Sequence, residues 1–150
     1  MDELFIWFNR TQLPAGYPVK DDAVFKPSFE AKNPKAVPEQ KWTMFNHHKM
    51  SFPPTDAYQF PKEMYLVITK KTAPIQFDYF DCRQYVKLVS GRFLKFIQEK
   101  GLTEEYYEKA VLHIADAKGS SLAGDEYYAI RFGKFDDKLF EFPAEGRKRG

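Results

Sequence analysis

The sequence predicts an α+β domain, in which a mainly antiparallel sheet is covered by one principal helix at about residues 91–100. Three observations lead to this prediction. Short strand-like apolar segments recur in the second half of the chain, one segment has helical periodicity, and proline is concentrated in the first half. Strands, a helix and a hairpin in that order favour the α+β class. The length of 150 residues fits a single domain, 1–150.

The first part of the chain combines proline with large aromatic side chains. Nine of the ten prolines lie within residues 1–74. Proline fixes φ and removes a backbone donor, so the interval 14–61 cannot hold a long helix or a central strand. Its many aromatic rings are nevertheless unlike a disordered segment. We therefore predict a long irregular segment over 14–61 that packs on an α+β body formed by 62–142.

The strands before the helix are predicted from apolar runs. Leu4–Phe8 and Met64–Thr69 have the composition of strands, and the second is the more continuous, as in a buried strand. Ile75–Phe80 alternates and then ends in aromatic residues, which fits a short strand or a turn. Tyr85–Ser90 follows, with Tyr85 and Val89 on one face if the segment is extended.

Local end signals define the helix. Ser90 is a suitable N-cap because its side-chain oxygen can accept from a free amide of the first turn. Phe93, Leu94 and Ile97 form one apolar stripe. Gly101 lies where a helix commonly ends in the left-handed conformation. These signals predict a helix over residues 91–100.

The segments after the helix predict a hairpin. Residues 110–114 and 126–132 alternate, and the chain between them is rich in turn residues, so we expect two antiparallel strands. Thr103–Tyr107 is compatible with one helical turn before this hairpin. Lys138–Phe142 has the composition of a last short strand.

Composition narrows the function classes. The net charge of +2, from 23 basic and 21 acidic residues, is too balanced to indicate a nucleic-acid partner. The longest apolar runs contain five residues, which is too short for a signal peptide or a membrane span. A single cysteine forms no intramolecular disulfide. We therefore expect a cytoplasmic protein that contacts neither membrane nor nucleic acid.

Two pairs that include histidine are candidate sites of metal binding or catalysis. His47 and His48 are adjacent, which is neither the strand nor the helix spacing of metal ligands. Cys82 and His113 would form a nucleophile and base only if the fold brought them together, and no glycine elbow surrounds Cys82. We expect no metal site and no catalytic pair from these residues.

The remaining motifs also argue against an enzyme. Asp78 with Asp81, and Asp136 with Asp137, have the spacing of turn residues more than of paired catalytic carboxylates. The chain has only eight glycines and none of the glycine-rich phosphate-binding motifs. We therefore expect a protein without enzymatic activity and without a cofactor.

The order of several segments resembles a known group of proteins. These segments are Leu4–Phe8 with the turn Leu13–Pro18, Phe60-Pro61 leading into Tyr65–Ile68, Phe77–Phe80, Leu88–Leu94, and Tyr127–Ile130. This order is similar to that of immunity proteins of bacterial polymorphic toxin systems, which are small cytosolic α+β proteins. The resemblance implies a protein that binds and neutralises a cognate toxin domain and has no catalytic residue.

The aromatic residues on proline-broken chain suggest where such a partner would bind. Aromatic side chains are enriched at interface hot spots, and a proline-stiffened loop lowers the cost of ordering. Acidic residues would suit a basic nuclease toxin. The predicted contact residues are Trp42, Phe45, His47, His48, Phe52 and Tyr58, with Asp78, Tyr79 and Asp81 as a second patch.

Two other functions remain open at this point. Aromatic-rich concave sites bind glycans and other small molecules, so a small-molecule-binding module is one alternative. The other is an assembly subunit, such as a phage or secretion component, that pairs through an exposed edge strand near Lys138–Phe142. The oligomeric state is not predicted.

Overall fold

A computed structural model of the protein describes residues 16–18, 23–29, 32–34, 36–46, 49–70, 74–82 and 85–133. These residues form a six-stranded sheet, one α-helix and two short 3-10 helices. The strands are β1 (Ala23–Lys26), β2 (Glu63–Ile68), β3 (Tyr79–Asp81), β4 (Lys87–Ser90), β5 (Tyr107–Asp116) and β6 (Tyr127–Phe132). The α-helix is α1 (Gly91–Glu99), and the 3-10 helices span Lys41–Met44 and Asp56–Tyr58.

The sheet is mixed, and most of its strand pairs are antiparallel. The spatial order is β1-β2-β5-β6-β4-β3. β2 and β5 pair in parallel, whereas the other neighbouring pairs are antiparallel. The α+β class and the antiparallel pairing of β5 with β6 are therefore as predicted. The parallel pair was not predicted, because its strands are far apart in the sequence and their pairing leaves no local signal.

The helix matches its sequence signals closely. Its N-cap is Ser90, whose Oγ accepts from the amide of Phe93 at 3.1 Å. Gly101 follows the helix with a φ of +95°, a conformation that glycine adopts without strain. Leu94 and Ile97 are buried against the sheet, as the apolar stripe predicts. The predicted range of 91–100 is therefore confirmed to within one residue.

Alternation along the strands divides the core into two clusters on opposite faces of the sheet. One cluster lies under α1 and contains Val89 and Ile130. The larger cluster lies on the other face and contains Met64, Leu66 and residues from every strand. Trp42 belongs to this second cluster. The proline-rich segment therefore contributes to the layer that covers one face, and α1 covers part of the other.

Several expected elements have a different form or lie elsewhere. β1 falls within the proline-rich interval, where it is an edge strand followed at once by Pro27. Ile75 makes an isolated bridge to Ala123, and the strand proper begins only at Tyr79. A hydrogen-bonded turn from Thr103 replaces the expected helical turn, because β5 already begins at Tyr107. The predicted strands Leu4–Phe8 and Lys138–Phe142 lie outside the described residues.

Replacing Ser90 with alanine is expected to lower the free energy of unfolding by about 1–2 kcal/mol. The Phe93 amide would lose its acceptor, and Oδ1 of Asp78 would lose the Ser90 hydroxyl that donates to it at 2.7 Å. Urea denaturation measures the change. Ser28→Ala, at an exposed position, is the matched control and should leave the midpoint nearly unchanged. Equal effects of the two substitutions would contradict the capping role.

Candidate partner-binding surface

The buried guanidinium of Arg131 joins the proline-rich segment to the sheet. Arg131 is only 1% exposed. Its Nε donates to Oε2 of Glu108 at 2.9 Å, and its Nη2 lies 2.7 Å from the same oxygen. Its remaining donors reach the carbonyl oxygens of Trp42 and, at 3.0 Å, of Tyr58. Oε1 of Glu108 in turn accepts from the Phe60 amide at 2.8 Å.

Aromatic rings enclose this guanidinium. Its central carbon lies 4.9 Å from the ring centroid of Phe45, 4.8 Å from that of Phe60 and 5.8 Å from that of Trp42. These distances are those of cation–π contacts. Burial lowers the pKa of Arg131, and the hydrogen bond to Glu108 opposes that effect. The side chain remains a cation, since no ordinary burial deprotonates arginine near neutral pH.

The first predicted patch therefore divides into buried and partly exposed residues. Trp42 and Phe45 are 4% and 6% exposed, so their rings pack on Arg131 rather than face solvent. Phe52 and Tyr58 are half-buried. The ring of Phe52 lies so close to Gly133 that a Cβ there would meet it at 2.0 Å. His47 and His48 lie outside the described residues.

The second predicted patch forms the edge of the sheet beside α1. Oδ1 of Asp78 accepts from the Ser90 hydroxyl, and its Oδ2 accepts from Nη2 of Arg92 at 2.6 Å. The hydrogen bonds from Arg92 and then from Ser90 lower the pKa of Asp78. Asp78 therefore fastens the residues just before β3 to the junction between β4 and α1.

The other two residues of that patch lie on β3. Asp81 accepts from Nζ of Lys87 at 2.5 Å, across the antiparallel β3–β4 pair. Tyr79 packs on Phe93 with ring centroids 5.5 Å apart. Burial, followed by the charge of Asp81, raises the pKa of Tyr79 to about 12. Its hydroxyl therefore remains protonated at physiological pH.

Cys82 and His113 are separated by the sheet. Cys82 belongs to the larger core cluster, together with Leu112 and Ile114 of β5. His113 lies between these two residues in sequence, so its side chain points to the opposite face. The described residues contain no group of three or more His, Cys, Asp or Glu side chains placed to hold a metal ion. Their one α-helix is also too short to cross a bilayer.

Sequence reasoning missed a second exposed surface, which lies on the α1 side of the sheet. The main strand contacts of α1 are with β4 and β6, and part of the same side of the sheet, on β2, β5 and β6, has partly exposed side chains. Val67 and Ala115, farther along that side, are buried. We call the partly exposed part the open face and define it by Tyr65, Val111, His113 and Tyr128. Val111 is 41% exposed, and the side chain of His113 is 42% exposed. The alternation in the middle of β5 was the available signal, because Val111 and His113 are out of phase with the buried residues Ala110, Leu112 and Ile114.

Strand register brings the four residues of the open face together. Tyr65 pairs with His113 across β2 and β5, and their rings stack with centroids 4.7 Å apart. Val111 pairs with Glu63 on one side and with Tyr128 on the other. The open face is thus a continuous aromatic and aliphatic surface on central strands.

Comparison with known proteins gives one family. The model of the family described as immunity protein 43 matches residues 9–150, nearly the whole chain. Neither the search of curated proteins nor the search of solved structures gives a match.

Breaking the buried ion pair is expected to destabilise the fold strongly. Arg131→Met and Glu108→Met should each lower the free energy of unfolding by about 3–5 kcal/mol, because each leaves the other charge buried and unpaired. The double variant should lose less than the sum of the two, by at least about 1 kcal/mol. The same cycle at the exposed pair Lys109 and Glu104 is the control, with a coupling below about 1 kcal/mol. Additive losses at Arg131 and Glu108 would contradict the pairing.

The ion pair of Asp78 predicts a pH dependence of stability. Its pKa in the folded protein lies below the ordinary 3.8, so ionised Asp78 stabilises the fold above about pH 4. That contribution is lost as the pH falls through the folded-state pKa. The stability difference between the wild type and Asp78→Asn should therefore shrink as the pH is lowered from about 6 to about 3. Arg92→Met should reduce the pH dependence of the free energy of unfolding, because the hydrogen bond from Arg92 contributes most to the lowered pKa of Asp78. Parallel plots of stability against pH for the wild type and Asp78→Asn would contradict a contribution from ionised Asp78.

Proposed function

We propose that this chain, which belongs to the immunity protein 43 family, binds the toxin domain of a bacterial polymorphic toxin system and neutralises it by protein–protein contact. The match of residues 9–150 to the family carries the proposal. The partner is a protein in this proposal, and the place of action is the cytoplasm of the cell that needs protection.

The architecture supports an inhibitor that works by occupying a surface of its partner. Both faces of the sheet have well-packed apolar clusters, and the proline-rich segment is fastened to the sheet by Arg131 and Glu108. A scaffold of this kind presents side chains in fixed positions, which reduces the entropy lost on binding. The proposal assigns no catalytic residue and no cofactor to the chain.

The residues predicted from the sequence take different parts in this proposal. Phe52, Tyr58 and Asp81 are partly exposed, so they are candidates for direct contact with the toxin domain. His47 and His48 remain candidates as predicted. Trp42 and Phe45 would contribute indirectly, because their rings hold the segment that carries Phe52 and Tyr58.

Asp78 and Tyr79 are partly exposed beside α1 and remain candidates of the second patch. Asp78 contacts Arg92 and Tyr79 contacts Phe93, so each residue also stabilises the scaffold. A substitution at either position would therefore change the scaffold as well as the surface.

Co-expression tests the function directly. The C-terminal domain of the protein encoded immediately upstream would be produced in a sensitive bacterial host, with and without this chain. We expect growth to be restored and the two proteins to co-elute in size-exclusion chromatography. A toxin domain from an unrelated system is the control and should not be neutralised. Continued toxicity in the presence of soluble, folded chain would contradict the proposal.

A further inference from the structure

We propose that a loop formed by residues 43–57 docks on the toxin domain, and that the guanidinium of Arg131 holds this loop in its binding conformation. The inference rests on the proposed function, and it adds the contacting element and the residue that positions it. We call residues 43–57 the clamped loop, of which the structure describes 43–46 and 49–57.

A single guanidinium joins the two ends of the clamped loop. Nη1 of Arg131 donates to the carbonyl oxygen of Trp42, and its Nη2 donates to that of Tyr58 at 3.0 Å. Because both nitrogens belong to one planar group, the residues on either side of the loop are held close together. Surface loops of roughly 6–16 residues with close ends are Ω-loops, which are frequently functional, and the interval 43–57 has such a length.

A second contact seats the clamped loop on the sheet. Gly133 directly follows β6, two residues after Arg131. The ring of Phe52 fills the space where a side chain would begin, since a Cβ on Gly133 would lie 2.0 Å from that ring. The end of β6 therefore contacts the loop at its ends through Arg131 and in its second half through Gly133.

The clamped loop is packed on its inner side and exposes apolar atoms on its outer side. Phe45 is 6% exposed, and its ring centroid lies 4.9 Å from the central carbon of the Arg131 guanidinium. Met44, the preceding residue, is 50% exposed, and Phe52 is only partly buried. Methionine is common at binding surfaces because its side chain adapts its shape. Apolar side chains on a restrained backbone lose less entropy when a partner covers them.

A buried ion pair at this place favours positioning over stability. Glu108 accepts from Nε of Arg131 at 2.9 Å and from the Phe60 amide at 2.8 Å, so the pair fixes a third backbone position. Burial removes the hydration of both charges, and well-packed apolar side chains in their place often give equal stability. Apolar side chains have no donors for the carbonyl oxygens of Trp42 and Tyr58. We therefore assign to the pair the selection of one loop conformation.

The charges of the clamped loop point to an apolar contact. Its described residues include one cation, Lys49, and one anion, Asp56. The charged residues that flank the loop in the chain are also of mixed sign, with Glu39 and Lys41 on one side and Lys62 and Glu63 on the other. The toxin domain therefore meets the loop with an apolar surface, and attraction between net charges plays no part in this inference.

A lysine on the outer side of the loop tests the location. Met44→Lys should weaken binding of the purified upstream toxin domain by about 10-fold or more, because it places a charge in an apolar contact. Val37→Lys is the matched control, since Val37 is 75% exposed in the same proline-rich segment but lies outside the loop. It should change the Kd by less than about 3-fold. Titration calorimetry gives the Kd, and urea denaturation verifies that each variant is folded.

Two further variants test the positioning role of Arg131. The double variant Arg131→Met with Glu108→Met releases the ends of the loop without leaving an unpaired buried charge, and Gly133→Ala displaces Phe52 while the ion pair remains. Each should weaken toxin binding by about 5-fold or more. Ile97→Ala loosens the core under α1 and should leave the Kd within about 3-fold. A general loss of stability does not change the affinity of molecules that remain folded, so it would not reproduce the effect.

Hydrogen exchange observes the loop without the toxin domain. The amide of Met50 donates to the carbonyl oxygen of Asn46 at 2.8 Å, within the clamped loop. In the double variant this amide should exchange at least about 10-fold faster under conditions where the sheet stays protected, because the loop opens locally. Ile97→Ala should leave the ratio of Met50 exchange to sheet exchange nearly unchanged. Equal ratios in the double variant and the wild type would contradict the restraint by Arg131.

The outcomes distinguish this inference from the proposed function. Wild-type chain that fails to bind the toxin domain contradicts the function itself. Wild-type chain that binds, with a folded Met44→Lys variant of unchanged Kd, overturns only the loop as the contacting element. Equal losses in Met44→Lys and Val37→Lys would also overturn it, since docking would then extend over the wider segment. Weak binding by Met44→Lys with unchanged binding by the double variant and Gly133→Ala would overturn the positioning role of Arg131.

Discussion

The fold depends on one buried cation and its carboxylate partner. Arg131 and Glu108 lie opposite each other on β6 and β5, and they bind backbone groups of residues 42, 58 and 60. Beyond β1, the described residues of the proline-rich segment form two short 3-10 helices and no strand, so these contacts take the place of a strand ladder there. The rings of Phe45 and Phe60 exclude water from the pair and thereby strengthen it.

This arrangement gives the two faces of the sheet different tasks. On one face, the larger core cluster and the hydrogen bonds of Arg131 and Glu108 hold the proline-rich segment. On the other face, the nine-residue helix α1 packs mainly on β4 and β6. The asymmetry explains why a chain so rich in aromatic residues can both complete a core and leave tyrosines at a surface. Composition alone would not have separated these uses.

Local signals in the sequence were sufficient for the helix and most strands, but not for the assignment of the aromatic residues. Ser90 and Gly101 define α1 because caps act over a few residues. Trp42 lies 89 positions from Arg131, and no local pattern reveals that contact. A hint was present in β6, where Arg131 is in phase with Tyr127 and Ala129 and therefore had to share their buried face. The sequence did not reveal the open face, because the prolines and aromatic residues of 14–61 favoured a partner surface on irregular chain.

In the middle of β5, over residues 108–114, side chains that the core requires alternate with side chains that can vary. Glu108 and Leu112 face the packed side, whereas Val111 and His113 face outward. Substitutions at Val111 and His113 leave the contacts of Arg131 and Glu108 in place, because the two sets of side chains lie on opposite faces of the sheet. A lineage can therefore change the outer residues one at a time while it retains a folded protein at each step. Such a scaffold suits a protein whose contact surface has to change whenever the surface of its binding partner changes.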